Sequence, residues 1–218
     1  MDDQRAVTIL DLHTRLLTLK LLPRTGWLQR GMTNVESIAD HSFSVAMLAL
    51  LIGDLQPDLD RSRLLTIALL HDIAEVFIGD LPASARRLFG AEAKREAERR
   101  SMQELLNGLP QATEYIALWT EYIEGSSREA RLVKTLDRIE MLVQTLAYER
   151  AGHRALDELW DDLDWSWGDE FPLIHSFLSR LLAERFQLNG KAHINGAWTA
   201  PNGDKEPGIK SDSTMRET

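Results

Sequence analysis

The sequence predicts an all-α fold, a single helical bundle with a flexible C-terminal tail. Three observations predict it. Apolar residues recur at helical spacing in segment after segment, with Pro, Gly and Asp between them. No stretch alternates apolar and polar residues well enough to read as a strand, and no repeat is visible at 20–50 residues. The chain of 218 residues fits one domain at roughly 150 residues per domain. The domain spans 1–189, and 190–218 reads as a disordered tail of Gly, Asn, Pro, Lys, Asp and Ser.

Residues 6–22 carry Val7, Leu10, Leu17 and Leu21 on one face of a first amphipathic helix, which Pro23 ends. Arg24 to Trp27 reads as a turn. Residues 41–55 are apolar nearly all round, as expected of a central buried helix, and Pro57 and Asp58 break it. Asp60 or Ser62 can cap a third helix from about Arg63 to Phe77, closed by Gly79, Asp80 and Pro82. Residues 91–107 form a charged helix whose mixed signs suit a solvated face. Further helices are expected over 111–123, 127–150 and about 172–188.

The formal net charge of −9 argues against a protein that coats DNA or RNA, which shows a basic footprint. Zero cysteine excludes disulfides, thiolate nucleophiles, Cys-ligated zinc and iron–sulfur clusters, so any metal must be held by His and carboxylate. GxxxxGK[ST], GxGxxG and GxSxG are all absent. No secretory leader is read at the N-terminus, and the longest apolar run, Val45 to Ile52, is far short of the roughly 20 residues of a membrane span. A cytoplasmic protein with no membrane partner is expected.

His71-Asp72 lies in the apolar stretch from Ile67 to Ala74. An unpaired buried charge is costly, and a metal ion is one compensation. Taken singly, each such residue has an ordinary explanation. His71 and Asp72 could be a satisfied pair near a helix end, His41 a hydrogen-bonded core histidine, and Asp137 an ion pair with Lys134 or Arg138. Taken together, His41, His71, Asp72 and Asp137 emerge from three apolar helices and form a candidate mixed nitrogen and oxygen site for a divalent transition ion. Glu75, four residues after His71, shares that helix face. His13, His153, His175 and His193 have no carboxylate at ligand spacing. The tryptophans of the acidic segment 160–170 read as packing, with a lid or a partner surface as the alternative.

The order His41, His71-Asp72, Asp137 resembles the HD-domain metal-dependent phosphohydrolases, and within them the 5′-deoxynucleotidases. Pro23-Arg24-Thr25-Gly26-Trp27, Glu36-Ser37 with Asp40-His41, His71-Asp72 to Glu75 with Gly79-Asp80, Glu121-Tyr122, Leu136-Asp137 with Glu140-Met141, and Tyr148-Glu149 carry the likeness. It runs from about residue 10 to residue 188. The resemblance implies an HD-domain bundle, a divalent cation (Mn²⁺, Co²⁺, Mg²⁺ or similar) on His41, His71, Asp72 and Asp137, and a homodimer. It implies reaction-centre roles for Glu75 and Asp80, which orient or deprotonate the attacking water and contact the sugar. In some relatives that pair and the carbonyl at Leu81 hold a second metal. Trp27 would pack beside the deoxyribose, leaving little room for a 2′-hydroxyl. The family's phosphate-orienting arginine precedes this tryptophan; Gly26 stands there, so Arg24 and Arg30 are the candidates. The implied activity is hydrolysis of deoxyribonucleoside 5′-monophosphates, a step of nucleotide metabolism. The alternatives are an HD hydrolase of another phosphorylated metabolite and an inactive ligand-binding HD protein.

Overall fold

In the computed structural model, residues 2–161 and 163–189 are described. Their helices are α1 (Asp2–Leu16), α2 (Thr25–Leu28), α3 (Ile38–Gly53), α4 (Arg61–Leu70), α5 (Glu75–Ile78), α6 (Ala83–Phe89), α7 (Ala91–Leu105), α8 (Ala112–Glu124), α9 (Arg128–Arg150), α10 (Glu158–Asp161) and α11 (Pro172–Asn189), with 3₁₀ turns at Leu17–Lys20 and Trp165–Gly168. Among the described residues there is one isolated bridge, Pro23 to Ser37, and no strand. No described helix is long and apolar enough to cross a membrane. The tail expected over 190–218, with His193, lies outside the described residues.

The core is built where α3, α4, α8 and α9 meet. Ile38, Val45, Ala49, Ile67, Ala68, Leu132, Val133, Leu136, Ile139 and Leu142 are wholly buried there. Gly53 lets α3 approach α4 closely, because a Cβ at that position would meet the Leu64 side chain. α11 packs on α9, and the Trp165–Gly168 turn packs on α11.

Two features of the expected core are corrected. Val7, Leu10, Leu17 and Leu21 are all exposed, Leu21 at 82%; the residues that reach the core are Leu12, Leu16, Leu19 and Leu22. The first helix ends at Leu16 and tightens to 3₁₀, which rotates the register away from a single 3.6-residue stripe. α3 is central but not wrapped. Its Ile38, His41, Val45, Ala49 and Ile52 are buried, while Phe43, Met47 and Leu51 face solvent. Composition that is apolar all round does not say how many faces have neighbours.

Local signals set the helix starts that matter for chemistry. Ser37 and Asp40 form a reciprocal capping box, Ser37 Oγ accepting from Asp40 N at 3.1 Å and Asp40 accepting from Ser37 N at 2.9 Å. α3 therefore begins three residues before the expected 41, and His41 lies in its first turn. Asp60 caps α4 through Arg63 N. α4 stops at Leu70, so the expected single helix to Phe77 is instead two helices joined by turns over 71–74. Glu75 therefore starts a new helix and does not share a helix face with His71. Short α2, α6 and α10 were not expected. In the Trp160–Glu170 segment, Trp160 is buried with its indole N–H on Glu149, and Trp165 stacks on His175.

Candidate metal centre

α3, the turn after α4, and α9 each deliver one part of a single cluster. His41 Nε2 and His71 Nε2 face each other at 3.3 Å. Asp72 Oδ2 lies 3.2 Å from His71 Nε2 and 3.6 Å from His41 Nε2, and Asp137 Oδ1 lies 3.1 Å from His41 Nε2. Both imidazole side chains are fully buried, whereas Asp137 keeps 28% exposure and forms the open side.

The outer nitrogens decide what the inner ones offer. His71 Nδ1 lies 2.7 Å from the carbonyl of Ala68, an acceptor only, so this nitrogen carries a proton. His41 Nδ1 lies 2.6 Å from the buried carboxylate of Glu140 and donates to it in the same way. In the neutral rings both Nε2 atoms therefore turn lone pairs inward, beside two carboxylates. His41, His71 and Asp137 bring ligand atoms within 4.8 Å of one another, as a divalent cation requires, with Asp72 beside the two histidines; ring N–H groups tied to a carbonyl and a carboxylate are the usual support of a histidine ligand. The surrounding carboxylates also attract a proton to His41, which a cation on Nε2 would displace. Burial and Arg24 push His41 down, but hydrogen bonds to Asp137 and Glu140 prevail and raise it to about 10. Burial opposes ionisation of Asp137, yet His41 and His71 hold it down at about 2.

A small antiparallel pairing brings in the arginine. Arg24 N donates to Glu36 O at 3.0 Å and Ile38 N to Leu22 O at 2.9 Å, so residues 22–24 run beside the start of α3. Arg24 Nη1 then donates to Asp72 Oδ2 at 3.3 Å. Burial works against its charge, but Asp72, Asp137, Asp80 and Glu75 around it hold the guanidinium firmly protonated. Arg30 is committed elsewhere, to the Gly26 carbonyl at 2.8 Å and Glu158 at 2.6 Å. The structure thus separates two candidates that sequence left equal.

Asp80 accepts from Thr25 N at 2.6 Å, and its carbonyl accepts from Thr25 Oγ1 at 2.8 Å. This pins the Arg24–Trp27 turn onto the chain leaving α5. Glu75 is buried, and its Oε2 has no hydrogen-bond partner. Burial, Asp72 and Asp80 push its carboxyl well above the usual range. Trp27 is 4% exposed; its N–H donates to Glu36 at 2.8 Å and it packs edge-on to Tyr148, with Met32, Leu156 and Leu159 in a small second core.

Two residues of the cluster had no assigned role. Glu140 lies three residues after Asp137 on α9, a carboxylate inside an apolar stripe, and that spacing was the available signal. Tyr122 on α8 donates to Asp137 Oδ2 at 2.9 Å, and no sequence spacing links the two.

A family model described as an HD domain matches residues 16–166. The 5′-deoxynucleotidase hdd1 of Schizosaccharomyces pombe is 34% identical, covering 86% of this chain and 96% of its own. The human 5′-deoxynucleotidase HDDC2 is 36% identical, over 77% and 81%. A crystal structure of a Pyrococcus horikoshii protein aligns with TM-score 0.66 at 35% identity, covering 79% of this chain and 99% of its own. A predicted metal-dependent phosphohydrolase of Magnetospirillum magnetotacticum aligns with TM-score 0.66 at 25% identity, over 85% and 97%.

Proposed function

Since the chain belongs to the HD-domain family, we propose that it is a metal-dependent 5′-deoxynucleotidase, a phosphoric monoester hydrolase releasing phosphate from deoxyribonucleoside 5′-monophosphates. The observation that carries the reading is the convergence of His41, His71, Asp72 and Asp137 with Arg24 at their edge. Those four residues would hold one divalent cation; Mn²⁺, Co²⁺ and Mg²⁺ suit the set. Such an ion supplies Lewis acidity at a phosphoryl oxygen and lowers the pKa of water.

The chain's own groups do the rest. Arg24 carries the fixed positive charge that a phosphate dianion needs, in a protein of net charge −9. Glu75, buried and short of one partner, is placed to take the proton of the attacking water. That water's oxygen bonds to phosphorus, the bond to the sugar 5′-oxygen breaks, and the sugar oxygen leaves with the proton that Glu75 took up. Asp80 holds the Arg24 turn through Thr25, a positioning role beside any contact it makes with the sugar. Trp27 would meet a deoxyribose only with the little of its surface that packing leaves exposed. A second ion on Glu75, Asp80 and the Leu81 carbonyl would draw on the same carboxylates.

The test is phosphate release from dAMP, dGMP, dCMP and TMP against AMP, with Mn²⁺ or Co²⁺ added. Release confined to the deoxynucleotides, lost with chelator and lost in His71→Ala, is expected; equal behaviour of wild type and His71→Ala would refute it. A cytoplasmic homodimer completes the reading. Its support is the outer face of α3, where Phe43, Met47 and Leu51 are exposed at one-turn intervals and Leu55 continues the line.

A further inference from the structure

Tyr122 stands behind two of the four inward-facing side chains at once. Its phenol donates to Asp137 Oδ2 at 2.9 Å, while Asp137 Oδ1 is the oxygen turned toward His41. Its ring meets the His71 imidazole edge-on, with centroids 5.5 Å apart and planes at 70°. The tyrosine is itself held. Lys134 Nζ donates to the Ile123 carbonyl at 2.7 Å, tying α9 to the end of α8, and lies 5.7 Å from the Tyr122 ring centroid. Tyr122 is 8% exposed, so its position is set by packing.

Resting on the metal reading above, we propose that Tyr122 is a positioning residue for the cation. It engages one oxygen of Asp137, leaves the other for the ion, and sets the plane of His71. A carboxylate free to rotate about χ2 would offer the ion either oxygen, both, or a turned-away pair. The single phenol hydrogen bond selects one. Lys134 acts one step further out, through the ring it covers.

The experiment uses the full chain stripped of metal with chelator and titrated calorimetrically with Mn²⁺. Tyr122→Phe removes one oxygen atom and keeps the ring. The expected result is about 10-fold weaker Mn²⁺ binding, the low end of what losing an outer partner of a metal ligand costs. The melting temperature in chelator stays within about 2 °C of wild type, since one exchanged hydrogen bond moves stability little. In turnover, the Mn²⁺ concentration giving half-maximal rate rises, excess Mn²⁺ restores kcat, and KM for the deoxynucleotide is unchanged. The visible spectrum of the Co²⁺-loaded variant differs from wild type, which a merely structural role would not produce. Mn²⁺ affinity within twofold of wild type overturns the proposal. If Tyr122→Phe does not fold, Lys134→Met reads the same quantity: weaker Mn²⁺ binding supports the brace and unchanged binding overturns it. A wild-type chain that binds no Mn²⁺ refutes the metal reading itself, and this inference falls with it.

Discussion

At the scale of single residues, the two oxygens of a carboxylate and the two nitrogens of an imidazole do separate work. His41 spends Nδ1 on Glu140 and turns Nε2 inward; Asp137 spends Oδ2 on Tyr122 and turns Oδ1 inward. If the proposed cation site is correct, Glu140→Gln should weaken divalent-cation binding by about 10- to 100-fold, read by calorimetry, while His41, His71, Asp72 and Asp137 all remain. Unchanged affinity would show that the Glu140 contact does not tune His41. Glu36 gives a pH prediction. Burial and the neighbouring Glu140 raise its carboxyl to about 7. An acid whose folded pKa is raised holds its proton in the native chain after the unfolded chain has released it. Stability is thus lost as pH climbs from the ordinary glutamate range through about 7. Glu36→Gln should match wild type near pH 5 and exceed it at pH 8, by roughly 1 kcal/mol after allowance for partial exposure. Parallel stability curves of the two proteins from pH 5 to 8 would contradict this.

At the scale of elements, the site depends on where helices stop. α4 ends one residue before His71, and the turns over 71–74 present His71 and Asp72 inward on consecutive residues. α5 is ended by Gly79 at φ 72° and ψ 171°, a conformation nearly confined to glycine. That reversal lets Asp80 reach Thr25 and thereby fix the Arg24 turn. Gly79→Ala should cost about 1–3 kcal/mol in chemical denaturation, and should impair turnover more than stability alone explains because Arg24 loses its anchor. A variant as stable and active as wild type would show that the turn adapts. The end of α4 could not be read from sequence, because Ile67 to Phe77 keeps an apolar pattern through the break. Apolar content reports burial and is silent on whether the backbone continues in one helix.

At the scale of the molecule, α3 divides its apolar residues between the core and an outer stripe of Phe43, Met47 and Leu51, exposed by 68%, 37% and 60%, with Leu55 exposed by 64% just past its end. An exposed apolar line is costly in water and marks an interaction face. Two copies related by a twofold axis would lay the same stripe against itself, as a C₂ interface requires. The acidic Asp40 end of one α3 would then approach the far end of the other, where Arg61 stands beside Asp54. If the proposed homodimer forms through this stripe, the wild-type chain is a dimer and Phe43→Glu with Leu51→Glu a monomer in sedimentation equilibrium, with the helical circular dichroism preserved; a monomeric wild type would refute it. Dimers that persist in the double variant would place the interface elsewhere.

The helical class and the family resemblance were legible in the amino-acid order alone, as were His41, His71, Asp72 and Asp137 as candidates for one centre. Each rests on a strong local signal: helical periodicity, spaced breakers, and ionisable residues set where apolar ones belong. Only the tertiary structure decided which arginine stands at the centre, that Asp80 anchors the Thr25 turn, that Trp27 belongs to a small core, and that Tyr122 and Glu140 support the ligands. Those facts turn on contacts between segments far apart in the chain, such as Arg24 with Asp72 and His41 with Glu140. Periodicity within one helix carries no information about which side chain of another helix it will touch, so such pairings exist only once the helices are packed.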